Sequence, residues 1–369
     1  MDDWHRLAVE GHFEARHPWI QYHERLAGGI ARLVGAQPHE VIAMNTLTVN
    51  LHLMLASFYR PHGERRALLM EQGAFPSDRH AAESQVRFHG LDPATDLIEV
   101  APRPGEHLLR TEDLLAAIER EGPRLAAILL PGVQYLTGQV LDLHAIAAAG
   151  RRVGSTVGFD LAHAIGNVQI DLHGSGADFA VWCHYKYVNG GPGAIGGAFV
   201  HERHAHDRSL PRLAGWWGHE PQTRFAMAPE FVPSPGADGW QLSNPPILSM
   251  APLVASLGLF DEAGMPALRT KSMALTGYLE HLLAARVGPA VTLLTPADPA
   301  VRGAALSLRL ELPRAAARAV FDGLRRRGML PDWREPGVIR VAPVPLYNRF
   351  EDAWAFVEAL QAELAQARP

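Results

Sequence analysis

Residues 178–200, DFAVWCHYKYVNGGPGAIGGAFV, set Lys186 between Tyr185 and Tyr187, after an apolar run and before a glycine-rich turn. Only one other lysine, Lys271, occurs in the chain; every other basic residue apart from the histidines is arginine. Arginine keeps its proton in a protein, whereas a desolvated lysine can become a neutral amine and form a Schiff base with a carbonyl. The ordinary alternative is a lysine whose stem lies on apolar surface with its ammonium in water. Scarcity, aromatic flanks and the glycines that follow favour a covalently held carbonyl cofactor at Lys186.

A second group is Asp160-Leu161-Ala162-His163, directly after the strand-like TVGF. A carboxylate at a strand end can keep a pyridinium nitrogen protonated, and that charge makes a pyridoxal ring an electron sink. His163 could contact the same ring. Asp and His also bind zinc, but no third ligand stands at a firm spacing, so no metal is expected here. His201, His204 and His206 in the HERHAH segment suggest a metal reading too, but they lie in a charged stretch after a strand end, and a solvated turn is the expected one. Arg340, in the apolar GVIRVAPVPLYN, could fork onto a carboxylate with two parallel hydrogen bonds; a surface-facing strand arginine is the other reading. Trp216 and Trp217 are core or interface aromatics by default, though an indole N–H can also reach a phosphate.

These residues need a scaffold, and the chain supplies one in alternating pieces. A helix is expected over residues 47–59, where LTVNLHLMLASFY follows Asn45 and Thr46 as cap residues and offers free N–H groups to an anion. Strands are expected at 67–70, 97–100, 125–131, 156–159, 178–182 and 194–200, with helices opening at Pro76 and spanning 111–121 and 142–152. Such alternation implies a mostly parallel sheet built of crossover units, with ligands beyond the carboxyl ends of its strands. Residues 215–246, dense in Pro, Gly and Trp, form a long loop of the kind that serves a site or an interface. One long helix is expected from about 251 to 281, then a strand at 304–312, a helix at 314–327, a strand at 338–341 and a helix at 351–364. The division that follows is an N-terminal arm (1–37), a large α/β domain (38–258) and a smaller C-terminal α+β domain (259–369).

At 369 residues with 47% apolar and 20% charged residues, the composition is that of a globular protein with two lobes. A net charge of −5 gives no nucleic-acid footprint, and no long uncharged apolar run suggests a membrane span. A single cysteine, Cys183, excludes an internal disulfide, fits a reducing cytoplasm and reads as a buried small hydrophobe.

Eight segments, in order, carry a resemblance: NTLTVNLH, FPSDRHAAESQ, GVQYLTGQ, GFDLAHAIGN, CHYKY with its glycines, GWWGHE, SNPPIL and IRVAPVPLYN. From about Gly11 onward the chain resembles the kynureninases, pyridoxal-phosphate enzymes of the aspartate-aminotransferase fold. The resemblance implies that Lys186 bonds the cofactor, Asp160 pairs with its ring nitrogen, His163 contacts it and Phe75 stacks on it. It implies that Leu47, Thr48, Ser77, Asp78, Tyr185 and Trp216 hold the phosphate and cofactor, and that Arg340 takes the substrate carboxylate. His12 and Asn244 would line the aromatic pocket, in the combination of members that prefer 3-hydroxykynurenine. The implied reaction is hydrolysis of a Cβ–Cγ bond, giving alanine and (hydroxy)anthranilate in tryptophan catabolism and NAD biosynthesis, by a homodimer with its site at the interface. Tyr185 is the expected proton donor to the β-carbon. The family usually carries an upstream segment like DGNSLG that this sequence lacks, and Pro131 stands where some relatives have a phosphate-contacting serine. A truncated, inactive cofactor-binding relative is thus one alternative; another enzyme of the same fold, a cysteine desulfurase-like lyase or an aminotransferase, is a second. The remaining alternative, a plain α/β scaffold with a structural Lys186, leaves the eight ordered segments unexplained.

Overall fold

The computed structural model describes residues 1–367. They form two compact units, the first made of Met1–Ala101, Thr111–Gly132 and Asp142–Glu262, the second of Pro102–Arg110, Val133–Leu141 and the chain from Ala263 onward.

Seven strands make the sheet of the first unit: β1 (Val41–Ala43), β2 (Ala67–Glu71), β3 (Leu97–Val100), β4 (Leu125–Pro131), β5 (Thr156–Asp160), β6 (Phe179–Cys183) and β7 (Gly196–Val200). Their order is β1-β7-β6-β5-β4-β2-β3. The pairs from β3 across to β6 are parallel, and β7 runs antiparallel to both β6 and β1. β4 and β6 are buried almost throughout, which requires the unbroken apolar runs LAAILL and FAVWC in place of an alternating pattern. Helix Leu47–Phe58 is apolar nearly all round because it is a core helix: Leu51, Met54 and Phe58 pack with Leu68 and Met70 of β2, Leu129 of β4 and Phe179 and Val181 of β6.

The direction of the strands gathers the chemistry. Asp160 ends β5 opposite Val181, Pro131 ends β4 opposite Asp160, and Cys183 ends β6 opposite Gly196, the first residue of β7. β1 ends opposite Gly197 at the same edge and is followed at once by the helix at Leu47. β2 ends at Glu71, a few residues before helix Pro76–Phe88. The segments from 44 to 48, 71 to 78, 160 to 163 and 184 to 196 therefore leave or enter one edge of one sheet, where parallel sheets place their ligands.

The expected single helix over residues 251–281 is two helices, Ile247–Ala263 and Met265–Arg286. Gly264 separates them with φ +74, a left-handed value that interrupts the α-helix, and Pro266 then sits in the first turn of the second helix. In the second unit, β8 (Val291–Leu293), β9 (Leu306–Leu310), β10 (Asp332–Arg334) and β11 (Val338–Val341) form an antiparallel sheet in the order β10-β11-β9-β8. Its core joins Leu306, Leu308 and Leu310 to Phe321 and Leu324 of helix Arg314–Arg326 and to Phe356 and Leu360 of helix Phe350–Ala367. Among the described residues, no single helix is long and apolar enough to cross a membrane.

One close approach fixes the strand that ends in Asp160. A Cβ on Gly158 would lie 2.0 Å from the ring of Phe179, itself fully buried on the adjoining strand. Gly158→Ala is expected to cost about 1–3 kcal/mol through overpacking, read as a lower urea midpoint with an unchanged denaturant slope.

Candidate active site

Lys186 follows β6 on a turn that is bolted down by His184. The Trp182 indole donates to His184 Nε2 at 2.8 Å, and His184 Nδ1–H donates to the Ile195 carbonyl at 2.7 Å. The His184 carbonyl in turn accepts the Gly190 N–H at 2.8 Å. Burial lowers the His184 pKa to about 4, so the imidazole stays neutral and keeps this donor–acceptor pattern across the physiological range. Beyond the bolt, Lys186 is half-buried; its Nζ lies 3.3 Å from His163 Nε2 and 5.7 Å from the centre of the Phe75 ring. The His163 ring also meets Tyr187 edge-on, and its carbonyl accepts the Asn167 amide at 2.8 Å.

Two buried carboxylates share this edge. Asp160 Oδ1 accepts the Ala162 N–H at 2.6 Å, and Asp78 hydrogen-bonds to Asp160. Burial holds Asp78 well above the usual carboxylate range, and the negative charge and hydrogen bond of Asp160 push it further the same way. Lys186 opposes the shift, and Glu71 adds to it. Among the described residues, the fully buried Asp78 Oδ1 has no hydrogen-bond partner. Glu71 was not among the residues expected from the sequence; an acidic residue closing the buried run ALLM was the available signal.

The starts of helices Leu47–Phe58 and Pro76–Phe88 face the same edge, and neither has a side-chain cap on its free N–H groups. Thr48 Oγ1 and Ser77 Oγ, one from each first turn, are 2.8 Å apart and link the two ends. A Cβ on Gly196 would come within 3.1 Å of the Thr46–Leu47 backbone, so glycine lets β7 approach the first of these ends. A depression of about 400 Å³ opens beside it, lined by Thr46, Tyr185, Gly191, Pro192, Gly193 and Ala194. Tyr185 is 54% exposed as a residue, yet its phenol is pushed up to about 12, first by desolvation and then by the Cys183 thiol that it hydrogen-bonds. Cys183 is buried and, with its thiol pushed up by desolvation, is a packing residue.

The other expected site residues make contacts of their own. Trp216 is partly exposed and its indole N–H donates to the Arg224 carbonyl at 3.0 Å, while the indole N–H of buried Trp217 has no partner among the described residues. His12 packs edge-on against Trp19, and Asn244 is exposed. Among the described residues, no hydrogen bond or ring contact joins either of them to Lys186. In the second unit, Arg340 on β11 faces Asp332 on β10: its Nε donates to Asp332 Oδ2 at 2.9 Å, Nη2 donates to the same oxygen, and Nη1 donates to the Tyr135 carbonyl. The HERHAH segment is not a simple solvated turn either, since His204 Nε2 bonds Asp178 at 2.8 Å and His201 is only 13% exposed.

The edge of the first sheet thus offers two uncapped helix ends to an anion, an aromatic face, a buried carboxylate pair with an unmet oxygen for a cationic nitrogen, and one lysine for a carbonyl. Residues 3–312 match a family model described as aminotransferase class-V, and residues 268–360 match one described as the kynureninase C-terminal domain. A kynureninase of Xanthomonas campestris pv. campestris (strain B100) is 62% identical over 361 residues, covering 98% of this chain and 85% of the relative. The chain belongs to the kynureninase family. A kynureninase of Xanthomonas euvesicatoria pv. vesicatoria is equally similar, at 62% over 362 residues. The fold is shared with a C-DES mutant that has glycine covalently linked to its PLP cofactor (TM-score 0.77, 19% identity, 97% of this chain and 90% of that one). It is shared too with a cysteine desulfurase from Thermococcus onnurineus NA1 (TM-score 0.74, 15% identity, 94% and 84%). The kynureninase-family chain is a pyridoxal-phosphate-dependent enzyme, and the groups on the sheet edge suit that cofactor's phosphate, ring and aldehyde.

The carboxylate pair gives a test that needs no cofactor. Because Asp78 titrates higher in the folded than in the unfolded chain, the cofactor-free protein binds more protons folded, and its stability must fall as pH rises above the ordinary carboxylate range. Asp78→Asn mimics the protonated acid and should flatten that slope between pH 5 and 7, as measured by urea unfolding of the cofactor-free protein; an unchanged slope would show that Asp78 is not the group responsible.

Proposed function

We propose that this chain hydrolyses the Cβ–Cγ bond of kynurenine-type amino acids, with 3-hydroxykynurenine preferred over kynurenine, releasing alanine and the corresponding anthranilate. What carries the reading is that the sole lysine of the first unit has its Nζ 3.3 Å from His163 Nε2 and over the Phe75 ring, in a chain 62% identical to a kynureninase. Lys186 would hold pyridoxal phosphate covalently, with the phosphate on the helix ends at Leu47, Thr48 and Ser77, the ring on Phe75 and its nitrogen toward Asp160 and Asp78. When bound, the cofactor supplies an electron sink for the bonds around the substrate α-carbon.

The chain's own groups then divide the proton work. Lys186 Nζ takes the α-proton, and His163 Nε2 is near enough to keep that amine oriented. Tyr185, with a phenol that titrates at about 12, retains its proton at neutral pH and is the donor to the β-carbon as the C–C bond breaks. Arg340 spends three of its five N–H groups on Asp332 and Tyr135, which leaves one on each Nη for a substrate carboxylate. His12 and Asn244 are the groups for the ring hydroxyl. Trp216 contributes its indole ring, since its N–H is held by Arg224. Exposed Phe225 and Met227 on the same loop as Trp216 support a homodimer, and the lone buried thiol suits the cytoplasm.

The test is turnover of both substrates side by side with pyridoxal phosphate present. Hydroxyanthranilate and alanine should form, faster than anthranilate from kynurenine, and Lys186→Ala should abolish both. His12→Phe and Asn244→Thr should move the ratio of kcat/KM values at least about tenfold toward kynurenine, because a site built around a hydroxyl loses its discrimination with its hydrogen-bonding groups. Wild-type protein that binds the cofactor and turns over neither substrate would refute the proposed activity, and an unmoved ratio would refute the roles of His12 and Asn244.

A further inference from the structure

The sheet's other edge holds a second cluster. Glu40 immediately precedes β1, His201 immediately follows β7, and His173 lies in the short helix Leu172–Ser175. Val41 and Phe199 are paired across β1 and β7, so the first two residues are neighbours by strand register. Lys186 lies beyond the opposite end of β6, whose five residues span roughly 17 Å at about 3.3 Å each. The cluster is therefore separate from the candidate active site.

The Glu40 side chain is completely buried. Its oxygens accept the N–H groups of Gln37 and Glu202, each at 2.8 Å, and no arginine or lysine pairs with it among the described residues. A buried carboxylate needs a positive partner. Only imidazoles are there to supply or hold one. His173 Nδ1 is 3.1 Å from both carboxylate oxygens, and His201 Nδ1 is 3.7 Å from Oε1, with the two rings stacked at 5.2 Å. His201 Nδ1 also accepts the Arg203 N–H at 3.2 Å, so it carries a lone pair there and not a proton. That hydrogen bond is long, and a cation beside Glu40 would take the same lone pair in place of the Arg203 N–H.

We propose that Glu40, His173 and His201 bind one divalent transition-metal ion of the zinc class. The ligating atoms all lie within 4.8 Å of one another. Tetrahedral zinc, with bonds near 2.0–2.2 Å to nitrogen and oxygen, sets its ligand atoms roughly 3.3 Å apart, and the two imidazole nitrogens lie 3.1 and 3.7 Å from the Glu40 carboxylate. The fourth position faces solvent on the side of His173, which is 36% exposed. Binding displaces the proton from His173 Nδ1 and the Arg203 N–H from His201 Nδ1, and ties the ends of β1 and β7 to helix Leu172–Ser175, away from the lysine. His204 is committed to Asp178 and is not a ligand.

The experiment is a titration of chelator-treated holoenzyme with Zn(II) by equilibrium dialysis and with Co(II) by its visible ligand-field absorbance. One equivalent should bind saturably and give the intense bands of a four-coordinate site, with turnover unchanged. His173→Ala and His201→Ala should each weaken binding at least about tenfold, whereas His206→Ala should not. The cofactor absorbance of each variant reports its fold, and the more exposed His173 provides a variant that perturbs packing little. Absence of saturable binding, binding that survives either His173→Ala or His201→Ala in a folded variant, or binding lost in His206→Ala would overturn the proposal.

Discussion

Two carboxylates buried side by side are an unstable arrangement unless something positive or a proton stands between them, and the sheet edge of this protein is built around that condition. Asp78 and Asp160 arrive from different segments, one in the first turn of a helix and one at a strand end, and meet within hydrogen-bonding reach. Burial makes the pair costly and at the same time gives it its use. In a dry site a cationic ring nitrogen gains far more from such a partner than it would in water. Lys186 already opposes the Asp78 shift, so the same edge carries a positive group that partly offsets the pair.

The arrangement depends on backbone direction before it depends on any side chain. Parallel strands from β2 to β6 point their carboxyl ends one way, and β7 returns along β6 so that Gly196 starts where Cys183 stops. β1 ends at that edge as well, and its three residues serve to deliver the helix at Leu47 to the place where the helix at Pro76 begins. Small residues permit the approach: Gly158 lies against Phe179, and Gly196 lies against the helix start. His184, neutral and bonded at both ring nitrogens, keeps the lysine turn in register with the strand below it.

Much of this was legible in the sequence, and the reasons are specific. β4 and β6 are buried on both faces and so read as continuous apolar runs, and the cap-like residues before Leu47 and Pro76 marked helix starts. The convergence of Lys186, His163, Asp160, Asp78 and Phe75 follows from their places at strand and helix ends of one such sheet. β1, β8 and β10 were not legible, since three residues carry no periodicity. The break at Gly264 was missed because one glycine inside an apolar stretch does not announce its φ. Asp332 as the partner of Arg340 requires the β10–β11 register, and the Arg224 carbonyl as acceptor for Trp216 requires the path of a long loop; neither is encoded by local spacing.

The scarcity of lysine acquires a physical meaning once the arginines are placed. Arg340 takes a carboxylate oxygen and a carbonyl at once, Arg224 is buried on the Trp217 and His219 carbonyls with its guanidinium over the Trp217 ring, and Arg65 closes on the Leu125 and Val153 carbonyls. Each of those positions exploits a planar fork that never loses its charge. Lys271 makes a single bond to the Pro345 carbonyl, a role that asks only for one donor. Lys186 has no carboxylate salt bridge among the described residues; it touches an imidazole and an aromatic face. A guanidinium in the same place could neither lose a proton nor bond a carbonyl. Lys186 therefore stands where a nitrogen able to form a covalent bond is needed, whereas Arg340, Arg224 and Arg65 stand where a fixed charge with several donors is needed.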